Sequence, residues 1–263
     1  MSPEINKSAT DRASLLARLE GVSALDLVVT SSIQRTEHLQ VVSFESSQLV
    51  GFEALPGQDL MVDVPTTHGQ RVRRRYTIAS LNAIAGTMEI WVALHGNGAG
   101  ETWACEARAG DVIDGVGPRG KVHVNPEATH HLFIGDHSAL AATVEMAASI
   151  LSGSVSTMVS FPHEDDVIEP DFAPGVTSFS ATALSPITPG DGSGLLQELA
   201  HRDLSAPGLH CYVNAEFGIV NAVKAALLER GVERDAISTK PYWRLGASNA
   251  PHGEPPKDDT LKG

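Results

Sequence analysis

The rhythm of the chain changes once, near residue 130, and that change limits the fold more than any single motif. Before it, short β-prone runs follow one another at 25–30, 38–44, 60–64, 72–78, 88–94 and 112–116, with Gly, Pro, Asn or Asp between most of them. Short strands in a row predict a barrel or a sandwich. After it, 131–134, 155–161 and 209–213 read as strands, while 139–151, 195–201 and 219–229 read as helices, the last stopped by Gly231. Strands alternating with helices predict a parallel sheet in an α/β domain. The boundary is expected within 124–129, a stretch that contains Asn125-Pro126. The predicted organisation is a helical segment at 1–21, a barrel at 22–127, an α/β domain at 128–246 and a tail at 247–263. In the first segment Leu15, Leu16 and Leu19 share one side of a short helix. The last is polar and proline-containing, and is expected to be disordered.

Composition narrows the function classes. The 263 residues are 42% hydrophobic, enough to bury a core in one large or two smaller domains. The net charge of −13 argues against nucleic-acid binding, which needs clustered Lys and Arg. Cys105 and Cys211 form no C-x-x-C pair, so neither a disulfide framework nor a zinc site is expected. No apolar run approaches the ~20 residues that span a bilayer, and the start lacks a signal-peptide pattern. A cytoplasmic protein without membrane insertion is the expectation.

Four segments carry chemistry. In Arg74-Arg75-Tyr76-Thr77, strand alternation puts Arg74 and Tyr76 on one face and Arg75 and Thr77 on the other. A cation beside an aromatic suits a ligand with both phosphate and planar ring, gripped by guanidinium and stacked on phenol. Gly96, Gly98 and Gly100 follow His95 and precede a short helix, so backbone could approach a phosphate there, although Glu101 at the helix start would repel it. Gly135-Asp136-His137-Ser138 is a strand-to-helix turn with Asp136 or Ser138 as N-cap, and it lacks the G-x-G-x-x-G fingerprint. Tyr242-Trp243-Arg244 could cover a flat ligand or close the core. Each segment alone also has an ordinary reading: a solvated Arg run beside a core tyrosine, a hairpin turn, a helix cap, a core closure. His130, His131 and His137 crowd together without metal-ligand spacing, so no resident metal is expected.

In order along the chain, these segments and one more turn resemble the siderophore-interacting protein family of ferric-siderophore reductases, within the ferredoxin-reductase-like flavoproteins. That family carries an R-x-Y-T-x-R strand, an H-G…G-P-x-S-x-W-A loop, a G-P-R-G turn, a G-D-x-T-A-x-P-A turn and a terminal G-Y-W-R-x-G. The matching segments here are 74–79, 95–104, 117–120, 135–142 and 241–246. The departures are Ala79 for the second Arg, Ala99 and Glu101 for the loop's Pro and Ser, His137, Ser138 and Ala141 in the fourth motif, Ala215 for Gly in a late Gly-Glu pair, and Pro241 for the terminal Gly.

The resemblance implies a six-stranded antiparallel Greek-key FAD-binding barrel followed by a parallel-sheet, nucleotide-binding-like domain. It implies FAD held by Arg74, Tyr76, Thr77 and Ile78, with His95, Gly98, Gly100 and Thr102 near its phosphates and adenine, and Tyr76 and Thr77 at the reacting ring. It also implies electrons from NADH, NADPH or ferredoxin, and a ferric siderophore as acceptor that releases Fe(II) on reduction. A siderophore is often anionic, so Arg71, Arg73, Arg75, Lys240 and Arg244 are candidate contacts, with Lys240 and Arg244 preferred. Two alternatives stay open: a general NAD(P)H-flavin oxidoreductase with another acceptor, and a non-enzymatic siderophore-binding or partner-binding module.

Overall fold

The structure is a computed structural model that describes residues 22–66, 69–96, 98–168, 176–184 and 190–246. The helical segment expected at 1–21 and the tail expected at 247–263 lie outside the described residues. The chain divides into two compact units between His123 and Val124.

The first unit is a closed barrel of β1 (Ser23–Thr36), β2 (Leu39–Glu45), β3 (Asp59–Pro65), β4 (Arg71–Asn82), β5 (Thr87–Ala93) and β6 (Val112–Arg119), in the order β1-β2-β5-β4-β3-β6. The antiparallel pairing of β1 with β6 closes it and removes the sheet edges. The period-2 pattern supplies the interior: Leu25, Leu27 and Val29 from β1, Val42 and Phe44 from β2, Met88, Ile90 and Val92 from β5. Helix α1 (Ala99–Glu106) follows β5 and adds Trp103 and Ala104 to that core. Trp103 stacks on Phe44 with ring centroids 6.4 Å apart. Burying each such side chain contributes about 1.5–3 kcal/mol.

Strands β1 and β4 run furthest beyond the expected bounds. The second half of β1 is polar and shows no apolar alternation. It is held by its pairing with β2, and Ser32 donates to the Ala104 carbonyl (2.6 Å) while accepting from Gln40 Nε2 (2.8 Å). In β4 a bulge between Ile78 and Ser80 interrupts the register with β5, and Thr77, Ile78 and Ala79 are buried in succession.

The second unit is a parallel sheet in the order β11-β10-β7-β8-β9. Its elements are β7 (His130–Asp136), α2 (Leu140–Ala148), β8 (Gly153–Ser160), β9 (Val176–Leu184), α3 (Ser193–His201), β10 (Leu209–Glu216), α4 (Phe217–Glu229) and β11 (Ile237–Trp243). Leu195 and Leu199 of α3 and Ile219, Val220, Val223 and Leu227 of α4 pack with Leu132, Ile134, Cys211 and Val213 in one apolar cluster. The order reverses between β7 and β10, the kind of switch point where doubly wound sheets open a crevice at their strand C-termini. The sequence expectations omit β9 and β11. The former is Ser-, Thr- and Ala-rich with little apolar contrast, and the latter contains Pro241, which an edge strand tolerates because it has one unpaired side.

Candidate functional site

In the barrel unit, Arg74, Tyr76 and the start of α1 come together. Tyr76 is half-buried, packed against the barrel core. A methyl group on Gly100 would overlap the Tyr76 hydroxyl and lie 3.3 Å from Arg74 Cγ, so the absence of a side chain lets helix and strand meet. Burial pushes the Tyr76 phenol above its usual range, against the opposing pull of Arg74, and nearby Glu101 adds to the rise. At neutral pH it is therefore an uncharged hydrogen-bonding group beside a guanidinium. Thr77 and Ile78, the next residues along β4, are buried. Thr77 pairs with Asp59 in the β3–β4 register, on the strand face opposite Arg74 and Tyr76.

The glycine loop caps itself. Gly98 is the N-cap of α1 and supplies no side-chain cap bond. Its carbonyl accepts from the Thr102 amide at 2.9 Å, the first turn of the helix. Glu101, three residues into the helix, turns back so that Oε2 accepts from the Gly96 amide at 2.7 Å. Acidic side chains in a first turn satisfy free amides and complement the helix dipole. The expected repulsion of an anion therefore takes a specific form: a carboxylate already occupies one of the loop's donors. His95 is half-buried in the same loop.

A pair of buried carboxylates spans the switch point of the second unit. Asp136, at the end of β7, is 5% exposed, and its Oδ1 accepts from the Ser138 amide at 3.0 Å and from the Ser138 hydroxyl. The cap expected at Asp136 is thus present, with Ser138 as its partner. Oδ2 accepts from the Glu216 amide (2.8 Å) and from Trp243 Nε1 (3.1 Å), tying β7 to β10 and β11. Glu216, also 5% exposed, caps α4: its Oε2 accepts from the Gly218 amide and from the Ile219 amide at 3.1 Å, and Oε1 accepts from the Leu245 amide at 3.1 Å. Sequence motifs placed Asp136 and Trp243 in separate segments. No local signal shows that one carboxylate serves both.

The expected cationic contacts are arranged differently. Arg75 and Arg71 are engaged by acids of the neighbouring strand: Arg75 Nη2 lies 2.5 Å from Asp59 Oδ2, and Arg71 Nε lies 3.0 Å from Asp63 Oδ2. Each of these charges is balanced across the β3–β4 ladder. Lys240 lies on β11 with its ammonium 5.1 Å from the Tyr242 ring centroid, and Arg244, just past the strand, stacks at 3.8 Å over Phe217. Among the described residues no group of His, Cys, Asp and Glu could hold a metal ion, and no helix is long and apolar enough to cross a membrane.

Comparison with known proteins adds three findings. The family model described as "Siderophore-interacting protein" matches residues 128–246, and "Siderophore-interacting FAD-binding domain" matches 54–122. The ferric vibriobactin reductase ViuB of Vibrio cholerae is 26% identical over 247 residues, 87% of this chain and 84% of its own. Among solved structures, a siderophore utilization protein from T. fusca superposes with a TM-score of 0.78 at 23% identity, over 89% of this chain and 97% of its own. The ferredoxin reductase in carbazole 1,9a-dioxygenase does so with 0.68 at 20%, over 84% and 70%. The structural likenesses show a ferredoxin-reductase-like fold.

Proposed function

Because this chain belongs to the siderophore-interacting protein family, we propose that it is an FAD-dependent reductase that passes electrons to a ferric siderophore and so releases Fe(II). The observation that carries this reading is the meeting of Arg74 and Tyr76 with Gly100. A cation, an uncharged phenol and a closely approached backbone suit a ligand with a charged and a flat, aromatic end. Arg74 would hold the phosphate side of FAD and Tyr76 its ring, with Thr77 and Ile78 as the further flavin contacts along the same strand. His95, Gly98 and Thr102 lie in the segment that would face the remainder of the nucleotide. FAD, when bound, supplies the redox chemistry, and the protein orients it and controls solvent access. Reduction matters for release because hard oxygen donors hold Fe(III) far more tightly than Fe(II).

The acceptor is read from the family and from ViuB, whose name describes reduction of ferric vibriobactin. Lys240 and Arg244 would meet an anionic siderophore, each already steadied by an aromatic ring. The electron donor is read from the switch point. There Asp136 caps the short turn that leads into α2 and Glu216 caps α4, and they place negative charge where such sheets bind nucleotide phosphates. That favours a reduced ferredoxin over NADH or NADPH.

The test is direct. Purified protein is titrated with FAD and followed by visible absorbance, then reduced anaerobically with NADH, NADPH or reduced ferredoxin in the presence of a ferric siderophore and a ferrous chelator. A flavin spectrum, bleaching by ferredoxin and trapped Fe(II) are expected. A protein that stays colourless after FAD addition sinks the reductase. Fast bleaching by NAD(P)H alone overturns only the choice of donor.

A further inference from the structure

We infer that Glu101 is a resident anion that competes with the phosphates of the cofactor, and that it sets how strongly this chain distinguishes phosphorylated from unphosphorylated flavins. This rests on the flavin reading of the Arg74–Tyr76 face. The start of α1 offers backbone amides, and Gly100 brings that start against Tyr76 and the Arg74 side chain. Glu101 points its carboxylate into the same loop: Oε2 accepts from the Gly96 amide at 2.7 Å, and Oε1 lies 3.2 Å from where a Cβ on Gly98 would stand. Its charge also reaches Tyr76, where it helps to hold the proton on the phenol. An incoming phosphate would meet a carboxylate of like charge on a donor it could otherwise use. It must displace that carboxylate or bind without the donor.

The isoalloxazine end of a flavin carries no such conflict. The wild-type protein should therefore gain little affinity from riboflavin to FMN to FAD, and hold flavin as an exchangeable partner rather than a tightly retained group.

A purely structural Glu101 gives a different pattern. At the third helical position it stabilises the helix start, so removing it should lower thermal stability. If capping were its whole role, removal would loosen the loop and weaken every flavin alike. Under competition, stability and phosphate affinity move in opposite directions.

The experiment measures dissociation constants of riboflavin, FMN and FAD by flavin fluorescence and calorimetry, and Tm by calorimetry, for wild type, Glu101→Ser and the near-isosteric Glu101→Gln. The expected result is FMN and FAD binding about tenfold tighter in both variants, riboflavin within about twofold of wild type, and an unchanged or lower Tm. An FAD-to-riboflavin affinity ratio that stays at the wild-type value in both variants overturns the inference while leaving the flavin site standing. No binding of riboflavin to any of the three proteins overturns the flavin reading, and this inference with it. Should the serine variant fail to fold, the glutamine variant decides alone, because it keeps the side chain's length and removes its charge.

Discussion

An alanine at position 100 would place its methyl group inside the contact between α1 and β4. Gly100→Ala must push the Tyr76 phenol away, and removing the hydroxyl should relieve the overlap. FAD affinity is expected to fall about tenfold or more in Gly100→Ala and to recover in part in the Gly100→Ala, Tyr76→Phe double variant. Calorimetric titration of the four proteins closes that cycle, and additive losses would show that the two residues do not touch. Arg74→Ala and Tyr76→Ala should weaken FAD far more than Arg71→Ala, because Arg71 already pairs with Asp63. Equal affinities in all three would move the site elsewhere. At this scale the sequence showed the residue types that a nucleotide site needs, since a cation, a phenol and glycines sit within one run and the next loop. It could not show that Gly100 rests on Tyr76, because residues 24 apart meet only through the folding of the barrel.

Between elements, a buried polar network joins the start of the parallel sheet to residue 125. The Tyr212 hydroxyl accepts from the Asn125 amide (2.9 Å) and lies 3.2 Å from His131 Nδ1. His210 reaches Asn125 Nδ2 at 3.1 Å and Ser238 Oγ at 2.9 Å. Burial lowers the pKa of both His131 and His210 below the usual imidazole value. The folded state then favours their neutral forms, and the unfolded chain binds more protons. Their contribution is therefore fully present above about pH 6.5 and is lost as pH falls from there toward the lowered folded values. Urea midpoints should drop between pH 7 and 5, with a shallower dependence in His210→Gln, and a flat profile in wild type would contradict the network's burial. At the switch point, Asp136→Ala would strand the Glu216 amide and the Trp243 indole, both now bonded to one carboxylate. A loss of about 3 kcal/mol or more in chemical denaturation is expected, with Asp136→Asn milder. The strand and helix positions were largely readable because apolar alternation marks a buried face. The network was not, because its histidines carry no metal spacing and its partners lie on four separate segments.

The whole chain carries 32 acidic against 19 basic Lys and Arg side chains, and Arg71 and Arg75 are matched to carboxylates. Its long-range field repels anions, and salt weakens that repulsion. Reduction of an anionic ferric chelate should therefore speed up as ionic strength rises toward about 0.2 M, while an uncharged ferric complex should respond little. Stopped-flow rates at several salt concentrations check the sign, and slowing of the anionic substrate would mean that a local cationic patch outweighs the net charge. Sequence pattern determined the order of the parts, a run of short strands that fits a barrel or a sandwich and then a parallel sheet, because hydrophobic period and turn residues are local properties that every segment states for itself. The six-stranded barrel was implied by the family resemblance and is closed by the pairing of β1 with β6. The tertiary structure alone decided that Arg75 belongs to Asp59, that one carboxylate of Asp136 ties three strands, and that Glu101 answers the Gly96 amide. Those outcomes depend on which side chains the fold brings within bonding distance. In a chain with more acids than cations, that proximity determines whether a charge is offered to a ligand or satisfied from within.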